Sequence, residues 1–224
     1  MREKGYNKFL TILLIIIIAA VIGLLGYLGY DYYKNYKTKD DANQFVASFV
    51  EEVEGTKDTT DDSTGDSNIS GDIESASITG DSSNSKAKKY KGFNVIGTIK
   101  IPKTNIEYPI LDDPPTIKKL EVAVAALYPR NAEVNKEGNI VIAGHNYRNN
   151  LFFSNNKKLT NGDKIYITGL DGNRVTYVVY SVFQTSQDDT EFYNRDTDGA
   201  MEITLSTCTD ASDDQRIIVF AKAE

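Results

Sequence analysis

Hydrophobic and polar positions divide this chain into stretches of different texture. Residues 9–30 are apolar almost without interruption, with Leu13-Leu-Ile-Ile-Ile-Ile18 at the centre and no charge. About 20 such residues span a bilayer as a helix, so the pattern predicts a transmembrane signal-anchor over 9–30 behind a short cytoplasmic tail, 1–8. Residues 31–53 are mixed and tyrosine-rich, and Phe45, Val46, Phe49 and Val50 are spaced like one side of a short helix. This juxtamembrane segment fits an outward continuation of the membrane helix. Residues 54–89 are rich in Asp, Ser, Thr, Gly and Asn, with Ile69, Ile73 and Ile78 scattered among them. Such a stretch buries too little apolar surface to offset its ordering entropy and reads as a disordered acidic and polar linker.

From Tyr90 onward the texture becomes that of a folded domain, 90–224. β-like runs over 95–101 and 105–111 are separated at Pro102-Lys-Thr104. Over 116–127 Ile117, Leu120, Val124 and Leu127 make a helical stripe that starts after Pro114-Pro115. A strand over 139–143 enters a Gly144-His145 turn, and 152–159 suggests a helical turn. Strands over 163–168 and 174–183 flank the hairpin signal Asp171-Gly172. Two last strands start at Met201 and Arg216. Many short strands with one or two brief helices predict an all-β fold, a closed barrel or a sandwich.

Charge and rare residues narrow the function. The net charge of −7 argues against nucleic acid as a partner, because phosphate binding needs a basic face. Arg2, Lys4 and Lys8 precede the apolar run and Lys34, Lys37 and Lys39 follow it. That bias barely orients the anchor; the short N-terminal tail and the large acidic remainder predict the C-terminal bulk outside. Ala19-Ala20 offers small residues for signal-peptide cleavage, but the apolar run continues past them. A single cysteine, Cys208, excludes an internal disulfide and a multi-cysteine zinc site.

Cys208 ends the run Met201-Glu-Ile-Thr-Leu-Ser-Thr-Cys208. Strand alternation puts Ile203, Leu205 and Thr207 on one face and Glu202, Thr204, Ser206 and Cys208 on the other, more polar one. A structural cysteine would more often share the Ile/Leu face. The loop 209–215 is short enough to turn the chain back antiparallel and bring Arg216 beside Cys208. His145, the only histidine, ends another strand. Thiol, imidazole and guanidinium are a minimal kit for acyl transfer through a thioester. The plainer alternatives are a structural cysteine, a turn histidine, and an arginine paired at the surface with Asp213 or Asp214.

These residues carry a family resemblance. Thr204-Leu-Ser-Thr-Cys208 resembles the TLxTC signature of sortases, the membrane-anchored cysteine transpeptidases of Gram-positive bacteria. Gly144-His145-Asn146 resembles their histidine motif, and Arg216 stands where their arginine follows the cysteine. Gly97-Thr-Ile-Lys-Ile-Pro102 and Tyr108-Pro-Ile110 look like the family's first two strands. The resemblance implies a closed eight-stranded β-barrel outside the cell membrane, held by a single-pass anchor. It implies that Cys208 attacks the Thr–Gly bond of an LPxTG-like sorting signal on a secreted protein, with His145 as general acid/base and Arg216 stabilising the oxyanion. An amine of a peptidoglycan precursor would then resolve the thioester. Thr207 is the candidate for substrate binding.

The short spacing between His145 and Cys208 is unlike class B sortases, and Asp112-Asp-Pro-Pro115 lacks the aromatic residue of the class C lid. A class A, D or E-like member is expected. L,D-transpeptidases resemble it less, because they place a histidine where Ser206 stands. The rival readings are a surface cysteine protease or hydrolase on the same triad and a non-catalytic membrane-anchored β-domain. Asp210, Asp213 and Asp214 would disfavour the thiolate, favour a charged His145 and attract a cationic acceptor; simple solvation is the alternative. No cofactor is expected, although Asp188, Asp189 and Glu191 are conceivable calcium ligands.

Overall fold

The computed structural model describes residues 2–55 and 88–224, so nearly all of the linker expected over 54–89 lies outside the described residues. The chain divides into two compact units, Met1–Asp41 and Ala42–Glu224. In the first, the apolar residues from Phe9 to Leu28 lie exposed on the long helix α1 (Arg2–Gly55). Phe9–Glu54 is the one helix among the described residues long and apolar enough to cross a membrane.

The second unit begins well before the Tyr90 expected from the sequence. Ala42, Val46, Phe49 and Val53, spaced along one face of α1, are buried. Phe49 and Val53 cluster with Tyr90, Val95, Leu111, Ala123 and Ala125. Removing such a stripe from water is what docks a helix onto a sheet. The docking is close: a Cβ on Gly172, which already has φ +69°, would stand 2.7 Å from the Val53 carbonyl oxygen. Lys88 adds an ion pair to Glu52 (2.9 Å) and lies 4.6 Å over the Phe49 ring.

The strands are β1 (Lys89–Tyr90), β2 (Phe93–Ile101), β3 (Ile106–Leu111), β4 (Val124–Tyr128), β5 (Gly138–Ala143), β6 (Lys164–Gly169), β7 (Arg174–Ser186), β8 (Met201–Cys208) and β9 (Gln215–Ala223). Their order is β1-β2-β3-β4-β5-β8-β9-β7-β6, and β2 also pairs with β6. Strands β2 to β9 therefore close into an eight-stranded barrel, and β1 is a short hairpin partner at its side. Alternate residues fill the interior, Ile99, Ile101, Ile110, Ile142, Ile165, Leu205 and Val219 among them.

One expected element is different. The helical stripe over 116–127 is helical only in α2 (Ile117–Leu120), capped by the Thr116 hydroxyl, which accepts from Lys119 N–H. Val124 and Leu127 lie instead in β4, which pairs parallel with β3 and antiparallel with β5. Ala123, Val124, Ala125 and Ala126 are all buried; a short apolar run that fits either period is settled by the gap it fills. The turn expected over 152–159 is a single 3-10 turn, Asn156–Lys158. The Asp112-Asp-Pro-Pro115 segment is held to its own surroundings: Lys119 Nζ bonds the Asp112 carboxylate and carbonyl, and Asp113 Oδ1 accepts Asn131 N–H at 2.8 Å.

Candidate active site

Three strand ends meet at one edge of the barrel. β5 and β8 run parallel in register to their last pair, Ala143↔Ser206, and Gly144 N–H still reaches Ser206 O at 3.1 Å. His145 and Cys208 both stand two residues past that pair, His145 beyond the end of β5 and Cys208 as the last residue of β8. Neighbouring strands are about 4.8 Å apart. β9 returns antiparallel, and its pairing with β8 opens at Cys208↔Arg216. The expected hairpin through 209–215 thus forms, and Arg216 Nη1 donates toward Cys208 Sγ at 3.4 Å.

The same Nη1 also donates to the carbonyls of Asp213 and Gln215, so the guanidinium is fixed by the turn it closes. Cys208 is half-buried. Gly144 is required by packing, because a Cβ there would lie 2.7 Å from the Phe153 ring and 3.0 Å from Val124. The main chain of His145 is pinned from the other side, its carbonyl accepting Phe153 N–H at 3.1 Å. The imidazole lies against Tyr147, with ring centroids 4.8 Å apart.

The charge expected on His145 is reversed. Burial lowers its pKa below the ordinary value, and this outweighs the opposing pull of the Glu121 and Asp213 carboxylates. Desolvation penalises imidazolium more than two screened carboxylates favour it. Of the three loop acids, only Asp213 acts on His145. The Asp210 carboxylate is engaged by Lys157 Nζ and by Asn146 Nδ2 (2.8 Å), and these hydrogen bonds hold its pKa low. Asp214 is held through its backbone, N–H to Ser212 Oγ and carbonyl to Gln187 N–H.

Thr207 is 3% exposed, and its Oγ1 has no hydrogen-bond partner among the described residues. A buried hydroxyl left unpaired costs about 1–3 kcal/mol, and strand alternation sets it on the Ile203/Leu205 side of β8, opposite Cys208. Of the candidate calcium ligands, Asp189 spends its oxygens on Thr185 Oγ1 and Glu191 N–H. Among the described residues no cluster of three or more His, Cys, Asp or Glu side chains is arranged to hold a metal ion.

Several residues at the site gave no signal in the sequence. Asn146, seen there only as part of the histidine motif, donates to Cys208 O at 2.9 Å. The polar face of β8 is not open, since Glu202, Thr204 and Ser206 are buried. Arg195, from the long connection before β8, lies over the Phe220 ring and bonds Glu202 Oε2 (2.7 Å) and Tyr180 OH (2.8 Å). Asn139 holds the carbonyls of Phe192 and Tyr193 from the same connection. Burial raises the Tyr193 pKa while the Arg216 charge opposes it. A lone acid on a strand's polar side and a distant arginine are the only hints the sequence carried.

A closed barrel with Cys, His and Arg at one rim defines a recognisable class, and comparison bears it out. The family model described as the Sortase domain matches residues 99–224. The chain is 34% identical to sortase A of Bacillus anthracis over 128 residues, 57% of this chain and 58% of that protein. It is 30% identical to sortase A of Streptococcus agalactiae over 155 residues, 66% of this chain and 60% of the relative. The chain thus spans less than two thirds of either relative's own length. Among solved structures it is similar to a Clostridium perfringens sortase D5 transpeptidase (26% identity, TM-score 0.55), covering 84% of this chain and 99% of that one. The chain belongs to the sortase family.

Proposed function

We propose that this protein is a membrane-anchored cysteine transpeptidase of the class A, D or E type. Its folded unit would face the cell exterior and attach secreted proteins to the wall. What carries the reading is the meeting of Cys208, His145 and Arg216 at one barrel rim in a chain of this family, with Arg216 Nη1 3.4 Å from the sulfur.

The steps follow from the groups present. Burial keeps His145 mostly neutral at neutral pH, so the imidazole takes the thiol proton as the sulfur attacks the threonine carbonyl of an LPxTG-like signal. Arg216, permanently charged, donates to the oxyanion that forms. Collapse breaks the Thr–Gly amide; His145 returns its proton to the departing glycine amine, and a thioester remains on Cys208. The amine of a peptidoglycan precursor attacks that thioester, loses a proton to His145, and expels the thiolate. Asp213 and Asp214 favour the approach of a cationic acceptor.

The test is a library of LPxTG variant peptides, incubated with the protein with and without an added amine and followed by mass spectrometry. A thioester on Cys208 and an amide product that appears only with the amine are expected. Hydrolysis alone, whatever the amine, indicates a hydrolase instead, and turnover that survives Cys208→Ala refutes the reading altogether.

A further inference from the structure

We propose that Asn146 is a positioning residue, its side-chain amide locking the histidine segment to the peptide carbonyl of Cys208 and to Asp210. This role presupposes the transpeptidase reading, whereas the contacts of the amide do not depend on it. Backbone pairing between β5 and β8 stops at Ala143↔Ser206, with Gly144 N–H to Ser206 O as its last bond. Both reacting side chains lie beyond that point: Cys208 stays paired with Arg216 of β9, but the β5–β8 ladder that would relate it to His145 has ended. The Asn146 amide is the next link across the gap.

All of its hydrogen-bonding capacity on that side is used. One Nδ2 hydrogen goes to Cys208 O (2.9 Å), the other to Asp210 Oδ1 (2.8 Å), and Oδ1 accepts Arg148 N–H (3.1 Å). These partners fix the amide's orientation, since a flipped group would set its oxygen against two acceptors and its NH₂ against a donor. Asp210 in turn engages Lys157 Nζ, from the 3-10 turn Asn156–Lys158. The result is a chain of polar contacts from that turn through the loop after Cys208 to the loop that carries His145. Asn146 touches no reacting atom; it acts through the placement of its neighbours. Alanine would remove both links, while aspartate would set a carboxylate against a carbonyl and a second carboxylate.

The experiment uses the full chain in detergent, with signal peptide and amine acceptor. Asn146→Ala is expected to lower kcat by about 10- to 100-fold, the cost of a misplaced reacting group. KM for the peptide should stay within about twofold and the melting midpoint within a few degrees, as for a near-surface contact. Asn146→Asp should be at least as slow, and adding Asp210→Asn, whose amide can donate to the new carboxylate, should recover part of the loss. A second readout needs no substrate. Cys208 is the only cysteine, so iodoacetamide reports on it alone, and in Asn146→Ala the pH profile of alkylation should move to that of His145→Ala. An Asn146→Ala protein with unchanged kcat, or with the unmodified protein's alkylation profile, overturns the proposal. If no peptide is ever turned over, the transpeptidase reading fails while the alkylation profile still decides the role of Asn146.

Discussion

Replacing Phe49 with alanine tests whether the end of the long helix belongs to the barrel unit. Phe49 is 1% exposed and packs in a cluster with Val53, Tyr90, Val95 and Leu111, beside the Phe45 ring at 6.2 Å and under Lys88. Losing a fully buried phenylalanine removes its transfer free energy and leaves a cavity, typically about 3–5 kcal/mol together. In a unit of this size each kcal/mol moves the melting midpoint by about 2–4 °C, so Phe49→Ala should melt roughly 10 °C lower. The loss is capped at the docking energy of the whole helix, which a fragment beginning at Lys88 measures independently. The assay is thermal unfolding, followed by circular dichroism, of a chain beginning at Ala42. Ser48→Ala is the control, because its hydroxyl only bonds Phe45 O on the exposed side. A midpoint for Phe49→Ala within about 2 °C of both the parent and the Ser48 control would refute the docking argument.

Arg216→Ala should cost about 10²–10³ in rate, as for loss of one oxyanion donor, and Arg216→Lys should not restore it, since an ammonium cannot reproduce the planar fork; a lysine variant of normal rate would contradict this. His145, the only histidine, should titrate by proton NMR below its ordinary value of 6.5. The sign for folding follows: the unfolded chain binds that proton more readily, so the contribution is present above 6.5 and is lost as pH falls through the lowered folded value. Asp213→Asn should lower the midpoint further, and a midpoint above 6.5 would show that the carboxylates outweigh burial. Arg195→Met leaves the buried Glu202 carboxylate with Tyr180 OH as its one hydrogen-bond partner among the described residues, and should destabilise the fold by about 3 kcal/mol in denaturant titration; an unchanged midpoint would mean that water reaches Glu202.

Much of the barrel was legible one strand at a time. β2, β3, β5, β6 and β7 stand close to where alternation and turn residues put them, and the seven-residue loop after Cys208 was enough to seat Arg216 beside it. Those features depend on neighbours along the chain, and a sequence displays its neighbours. β4 was misread because Val124 and Leu127 fit a helical stripe as well as a strand; only the gap between β3 and β5 decided.

Neighbours along the chain were enough to settle which chemical groups are present, the long apolar helix, and the short-range turn that joins Cys208 to Arg216. The tertiary structure decided what depends on residues far apart in the chain. Parallel pairing of β5 with β8 carries His145 to Cys208, and the end of α1 packs through Phe49 against Tyr90, Val95 and Leu111. The same holds for charge: the acids near Cys208 suggested a protonated His145, but folding sets burial against them, and removal of water from an imidazolium outweighs two partly screened carboxylates.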